Sequence, residues 1–167
     1  MAGGPIYTGG LPFFKGGIRT KLKVVAAVGT AVTLTRAQSN STFLFSIATN
    51  FAYTLPVPVA GLVYDFLWTI LETGGQAHAV KTGAGTIFMT GVVQAFSGED
   101  ITPSSTLGPK QYSSPVGSSF VQFTCNGTTT GGGIGQRIRV VGINATTWSV
   151  TGTVMSPSGT LATPFSV

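Results

Sequence analysis

The chain has 167 residues, and only 8% of them are charged, although the formal net charge is +5. One domain with a hydrophobic core fits this length, and a hydrophobic content of 43% excludes a disordered chain. The single cysteine excludes an intramolecular disulfide framework. A typical soluble domain has about 25% charged residues. Either much of this surface is buried against other subunits, or the chain is a Ser/Thr-rich β-domain like those of secreted and virion proteins; both favour assembly.

Residues 1–20 have the composition of an extended N-terminal arm, with glycine pairs at 3–4, 9–10 and 16–17 and no periodic apolar face. Large apolar side chains are nevertheless spread along this segment, which a flexible tail does not need. We predict that the arm becomes ordered on a partner surface; the alternative is an N-terminal strand that packs on its own domain. The candidate partner-binding residues of the arm are Ile6, Tyr7, Leu11, Phe13, Phe14, Lys15, Ile18 and Arg19.

Positive charge is concentrated in the arm and directly after it. Five basic residues precede the first acidic residue, Asp65: Lys15, Arg19, Lys21, Lys23 and Arg36. A basic arm can bind nucleic acid or an acidic protein surface. Four basic residues within nine positions (15–23) are a thin patch, and the nearby aromatic residues form no known nucleic-acid module. The sequence therefore favours an acidic protein partner over nucleic acid.

Residues 21–154 have the texture of a β-domain, in which short segments of β-branched and aromatic residues alternate with turns. The region 97–117 is polar and contains three prolines, which predicts a long surface loop. Residues 155–167 are predicted to be a loosely held C-terminal extension. The pattern gives about nine short strands, which we place within the segments 24–28, 31–35, 42–47, 51–55, 61–71, 76–82, 86–96, 119–125, 136–143 and 147–152.

This spacing of strands, with no convincing helix, predicts an all-β protein with a single β-sandwich, jelly-roll or barrel-like domain. The longest apolar stretch, 55–71, contains Pro56, Pro58 and Asp65, so we expect no membrane-spanning segment. The N-terminal residues also lack the apolar region of a signal peptide.

The residues that could perform catalysis are few and scattered. Asp65 and Glu72 are seven residues apart, a spacing that would place them on opposite faces of one strand. The neighbouring residues Glu99 and Asp100 are better explained by loop capping or solvation than by calcium binding, which needs more oxygen ligands.

Histidine and cysteine each occur once, which is too few for a zinc site. We interpret His78 as a structural histidine and Cys125 as a buried strand residue. Trp68 and Trp148 are predicted to be core residues rather than sugar-stacking residues. The sequence therefore predicts no catalytic residues, no cofactor and no metal, and a protein that is not an enzyme.

Two stretches carry a resemblance to known proteins. The first combines VTLT at 32–35 and STFL at 41–44 with FAYTLPVPVAG at 51–61 and an aromatic strand; the second is GINATTWSVTG at 142–152. Together they resemble small virion β-domains of tailed bacteriophages, in which a YTLP-P-AG motif precedes a strand and an N-x-x-W-x-V-x-G strand lies near the C-terminus. Several members of that group are head decoration, or cement, proteins. The resemblance covers roughly residues 30–70 and 136–152.

The resemblance implies a structural protein on the outer surface of the capsid, assembled in the host cytoplasm. Such a protein forms a homo-oligomer, with a trimer favoured, and bridges neighbouring subunits of the major capsid protein. No motif residue of that group is catalytic, and no membrane is involved. The alternative function is a tail fibre, spike or receptor-binding domain that recognises carbohydrate with its loops, either on a virion or as an independent module.

Overall fold

The computed structural model describes residues 30–98, 109–114, 120–157 and 160–167, and the backbone of 22–23. The predicted arm (1–20) and the predicted strand at 24–28 therefore lie outside the described residues. Within these ranges the protein is all-β, as the sequence predicts; the one helical element is a single 3-10 turn at Arg36–Gln38.

The described strands form two open sheets that pack face to face. The larger sheet has seven strands in the order β1-β3-β5-β10-β11-β7-β8, and the smaller has five in the order β12-β9-β6-β4-β2. The large sheet contains β1 (Leu22–Lys23), β3 (Ser41–Phe45), β5 (Val63–Trp68), β7 (Phe88–Ser97), β8 (Lys110–Ser114), β10 (Arg137–Gly142) and β11 (Thr147–Ser156). The small sheet contains β2 (Ala31–Thr33), β4 (Phe51–Thr54), β6 (His78–Lys81), β9 (Gln122–Cys125) and β12 (Phe165–Ser166).

From β2 to β7, each successive strand crosses to the other sheet. Strands β2, β4 and β6 are parallel neighbours in the small sheet, and β3 and β5 are parallel neighbours in the large one. The antiparallel hairpin β10–β11 then lies between β5 and β7, and β11 pairs with β7 in parallel along ten residues. The chain therefore alternates between the two sheets up to β7, and the hairpin β10–β11 then fills the centre of the large sheet. Of the predicted architectures, the protein adopts the β-sandwich. Both sheets are mixed, and the described strands form no closed barrel.

The core lies between the two sheets because apolar residues alternate with polar ones along most strands. In β10, Ile138 and Val140 are fully buried while Arg137 and Arg139 face solvent. Aromatic rings fill one end of the core, where Phe45 stacks on Trp68 with ring centroids 4.3 Å apart. The largest fully buried side chains are Trp68, Trp148, Tyr53, Tyr64, Phe43, Phe45, Phe66 and Phe123, so both tryptophans are core residues, as predicted.

Two sequence predictions need correction. The predicted loop 97–117 contains strand β8, a polar strand at the edge of the large sheet that pairs antiparallel with β7. Its five residues show no apolar alternation, and three of them are exposed. The predicted C-terminal extension 155–167 was also wrong in its described part: β11 continues to Ser156, and β12 pairs with β9 while burying Phe165 in the core. No helix within the described ranges has the length and apolar character needed to span a bilayer.

Candidate functional site

The two carboxylates of the described chain, Asp65 and Glu72, lie in two charged clusters in different surroundings. The inner cluster is formed at the end of the sandwich where β5 ends and β6 begins. Trp68 is the last residue of β5, Glu72 lies in the connection, and His78 is the first residue of β6. The backbone N–H of Glu72 donates to the carbonyl of Gly132 at 2.9 Å, which turns the connection inwards. All three side chains are buried.

One carboxylate oxygen, Glu72 Oε1, is the centre of the inner cluster. Trp68 Nε1 donates a hydrogen bond to it, and His78 Nδ1 lies 2.7 Å away, at an angle that is poor for a hydrogen bond. His78 Nε2 lies 2.9 Å from the carbonyl of Ile47 and 3.1 Å from that of Thr49. Because both carbonyls only accept, Nε2 carries a hydrogen. The Glu72 carboxylate and the His78 imidazole are therefore in direct contact inside the core.

Cys125 and Gln136 extend the cluster towards the large sheet. Cys125 is the register partner of His78 across β6 and β9, and Gln136 Nε2 donates to its sulfur at 3.0 Å. Burial raises the pKa of the Cys125 thiol well above its ordinary value, and the negative charge of Glu72 raises it further, against a lowering by the Gln136 hydrogen bond. The thiol is therefore protonated and a poor nucleophile.

A glycine-rich connection between β9 and β10 seals the inner cluster. Gly132 has φ of +122°, and a Cβ placed there would lie 2.8 Å from the Cβ of Glu72 and 2.9 Å from the Cα of Gly127. The Gly132 N–H donates to the side-chain oxygen of Gln136 at 2.8 Å. Only a residue without a side chain permits this approach. The glycine connection thus covers the buried carboxylate and imidazole.

The inner cluster is suited to holding the sandwich together. It connects β5, β6, β9 and the start of β10 through buried hydrogen bonds, and its titratable side chains have no exposed surface. Glu72 Oε2 is also buried and has no partner among the described residues. A substrate could reach these groups only if the glycine connection opened. The burial of His78 and Cys125 matches their predicted structural positions.

The outer cluster lies on the solvent side of the large sheet. Arg139 binds Asp65 with two hydrogen bonds, Nε to Oδ1 at 2.9 Å and Nη2 to Oδ2 at 3.0 Å, and Arg137 Nη2 lies 3.3 Å from Oδ2. These contacts with Asp65 raise the pKa of Arg139 above its ordinary value. Both arginine side chains are 55% exposed, whereas that of Asp65 is 9% exposed. Two guanidinium groups share one carboxylate, so the cluster carries an excess positive charge.

The outer cluster lies in an open groove of about 690 Å³, which we call the arginine groove. Exposed apolar side chains of Ile134 and Met155 lie at one end of it. The groove is lined by Asp65, Ile134, Gly135, Gln136, Arg137, Arg139, Thr151, Gly152, Thr153 and Met155. It combines fixed cationic donors with apolar surface, which suits a partner that is both anionic and aliphatic.

The outer face of the small sheet is nearly uncharged and forms an open groove of about 460 Å³. Its register places Ala31, Ala52, Ala79 and Thr124 side by side across four strands. The next row is Thr33, Thr54, Lys81 and Gln122, so one charged side chain lies on this face of the described strands. The small side chains of this face leave the groove open to a partner surface.

The structure describes only some of the residues that the sequence marks as candidate site residues. The predicted arm residues lie outside the described ranges. Asp65 and Glu72 do not share a strand, because β5 ends at Trp68 and the chain then carries Glu72 into the core. Sequence reasoning missed the pairing of Asp65 with Arg137 and Arg139. The alternation of arginine with apolar residues in β10 was a usable signal for two cations on one exposed face, but it could not identify the facing strand.

Within the described ranges, no group of three or more histidine, cysteine or acidic residues has an arrangement that could hold a metal ion. No protein-family profile, no curated protein and no solved structure matches the chain.

Proposed function

We propose that the chain is a non-enzymatic structural protein of a tailed-bacteriophage virion that decorates the outside of the capsid and bridges neighbouring subunits of the major capsid protein. The observation that carries the proposal is the chemistry of the two outer sheet faces. One is a nearly uncharged Ala/Thr groove, and the other has an arginine groove whose single carboxylate is already bound. Such faces suit contact with other proteins better than a free existence in solution.

The resemblance of residues 30–70 and 136–152 to small phage virion β-domains supports the same function. In the described structure, these segments supply β2 to β5 and the hairpin β10–β11, which form the centre of the large sheet and one edge of the small sheet. The motif residues Tyr53 and Trp148 are fully buried. These motif residues therefore belong to the core of the sandwich, whereas the proposed contacts with other proteins lie on its outer faces.

The proposed mechanism is thermodynamic. A protein that binds only the assembled shell stabilises that shell by mass action. Many copies, each with a modest interface, add their binding free energies when they connect neighbouring subunits. A homo-oligomer, with a trimer favoured, would bridge several subunits at a local symmetry axis. The proposal involves no membrane, nucleic acid or cofactor.

The proposal is tested by adding the purified chain to particles of the encoding virus that lack it. We expect saturable binding and an increase in the temperature at which the shells release their DNA. Particles that bind no chain, or that bind it without any gain in stability, would contradict a decorating function. Carboxymethylated serum albumin, an acidic protein without shell geometry, is the control for unspecific charge attraction.

A second experiment tests the arm. Deletion of residues 1–20 removes the apolar residues and two of the basic residues assigned to partner binding. We expect the truncated chain to keep the far-ultraviolet circular dichroism of a β-sandwich and to lose its binding to shells. Unchanged shell binding would refute the role of the arm and leave the sheet faces as the contact surfaces.

A further inference from the structure

We propose that the arginine groove binds an extended acidic segment of a partner protein. The carboxylates of that segment would contact Arg137 and Arg139, and its aliphatic side chains would pack on Ile134 and Met155. The inference deepens the proposed function by naming the chemistry of the partner surface, and it rests on that function only for the identity of the partner.

Charge is the first argument. The two guanidinium groups share the single carboxylate of Asp65, and their Nη1 groups have no hydrogen-bond partner among the described residues. Because Asp65 already holds the arginine side chains, a further anion would bind donors that are largely oriented in advance. Arginine is the side chain best suited to a planar carboxylate, which it can bind through two hydrogen bonds. The excess positive charge of the groove thus complements a carboxylate.

Spacing is the second argument. Arg137 and Arg139 occupy alternate positions of β10 and therefore project from the same face, about 7 Å apart along the strand. An extended peptide presents its own alternate side chains at the same spacing. Two carboxylates separated by one residue could thus each reach a guanidinium group.

The apolar end of the groove distinguishes the possible partners. The side chains of Ile134 and Met155 are 60% and 45% exposed, and the described lining of the groove contains no aromatic residue. Single-stranded nucleic acid is normally held by aromatic stacking along a longer series of cations. An acidic protein segment with aliphatic side chains uses both parts of this groove and is the occupant that it fits.

The test uses a fluorescent peptide whose alternate positions carry two aspartates followed by two leucines, with serine at the positions between them, so that all four side chains face the groove when the peptide is extended. Anisotropy measures its binding to the full chain. A matched peptide with asparagine in place of aspartate and a short oligothymidylate are the comparison probes. We expect the acidic peptide to bind, and Arg137→Ser to weaken it about tenfold, which corresponds to about 1.4 kcal/mol. Arg139 continues to bind Asp65 in this variant, so the fold should persist.

Lys81→Ser is the matched control, because it removes the same charge from the opposite face of the sandwich. It should weaken the acidic peptide less than twofold. Equal losses in both variants, equal binding of the asparagine peptide, or no binding at millimolar concentration would overturn the inference. Tighter binding of oligothymidylate that is lost in Arg137→Ser would overturn it in favour of nucleic acid.

The outcomes also separate this inference from the proposed function. Shells that take up Arg137→Ser as well as the unaltered chain would refute the groove as a docking site while leaving the decorating function intact. Peptide binding that depends on Arg137, in a chain that binds no shells, would refute the decorating function but would still support the groove as a binding site for acidic segments.

Discussion

The inner and outer clusters use similar chemical groups in opposite ways. In the core, Glu72 lies 2.7 Å from His78 Nδ1 and accepts a hydrogen bond from Trp68, and all three side chains are buried. On the surface, Asp65 binds two arginine side chains that remain half exposed. A buried pair that loses one partner leaves an uncompensated group in a medium of low polarity, whereas water and salt replace a lost surface partner. We therefore assign the inner cluster to stability, and we propose binding as the role of the outer cluster.

The largest effect should follow from breaking the inner pair. We expect Glu72→Leu to lower the free energy of unfolding by about 3–5 kcal/mol, because it leaves Trp68 Nε1 without its acceptor and removes the carboxylate next to His78. Urea denaturation followed by tryptophan fluorescence measures the loss. A chain that does not fold agrees with the direction of the effect. Stability within about 0.5 kcal/mol of the unaltered protein would show that the cluster is dispensable.

A double variant sharpens this test. Combining Glu72→Leu with His78→Phe removes both members of the pair and preserves a ring for Phe45 to stack on. The double variant should lose about 1–3 kcal/mol less than the sum of the two single losses, since neither partner is then left alone. Additive losses would mean that the two side chains contribute independently.

The glycine that seals the inner cluster provides the second prediction. Gly132→Ala places a Cβ against Glu72 in a backbone conformation that L-residues rarely adopt. We expect a loss of about 2–4 kcal/mol from strain and overpacking together. Gly135→Ala is the matched control, because it has a φ of +85° and open space around it, and it should cost only about 1 kcal/mol. Equal losses in urea denaturation would show that crowding at Glu72 plays no part.

Alkaline pH should weaken the aromatic core. Tyr53 donates to the carbonyl of Leu44 at 2.9 Å, and burial raises its pKa to about 12 from 10.0. The folded state therefore keeps this proton at a pH where the unfolded state loses it. Stability is fully present below pH 10 and falls as the pH rises towards 12, by about 1.4 kcal/mol per pH unit for one proton.

The variant Tyr53→Phe isolates this contribution. It should cost about 1 kcal/mol at neutral pH, for the lost hydrogen bond, and should reduce the alkaline slope. Tyr64 and Tyr112 also have raised pKa values through burial, so part of the slope should remain. Urea denaturation at a series of pH values measures both quantities. An unchanged slope in the variant would contradict the assignment to Tyr53.

The smallest effect on stability should come from the outer cluster. We expect Arg137→Ser to change the free energy of unfolding by less than about 0.5 kcal/mol, because its contact with Asp65 is half exposed and Arg139 still binds the carboxylate. The same urea experiment measures this change. A loss comparable to that of Glu72→Leu would mean that both clusters hold the fold, and would remove the distinction between them.

The strands were predictable from the sequence to the extent that one face of each is apolar. The segments 42–47 and 51–55 each overlap a described strand, and in 51–55 the alternation reflects burial on one side. In β3, Thr42 and Leu44 are buried as well as Phe43 and Phe45, so both of its faces are covered. Strand β8 was missed because its stabilisation comes from hydrogen bonds to β7, which any residue except proline can make. The C-terminal strand was missed because its segment has only two apolar anchors in the core, Leu161 and Phe165, among small and polar residues.

The candidate sites were less predictable, because both depend on strand order. His78 meets Cys125 through the pairing of β6 with β9, and Asp65 meets Arg139 through the pairing of β5 with β10. These partners are 47 and 74 residues apart along the chain. A single sequence contains the period of each strand but not the identity of its neighbour. The burial of Glu72 was hidden for the same reason, since it depends on the glycine connection from a distant segment.

The copy number of the chain relative to the major shell subunit, measured by quantitative mass spectrometry of purified particles, tests the proposed function most directly. The account predicts an abundance comparable to that of the shell subunit, because a decorating protein must occupy sites over the whole surface. A handful of copies per particle would contradict it and would support a tail fibre or receptor-binding domain.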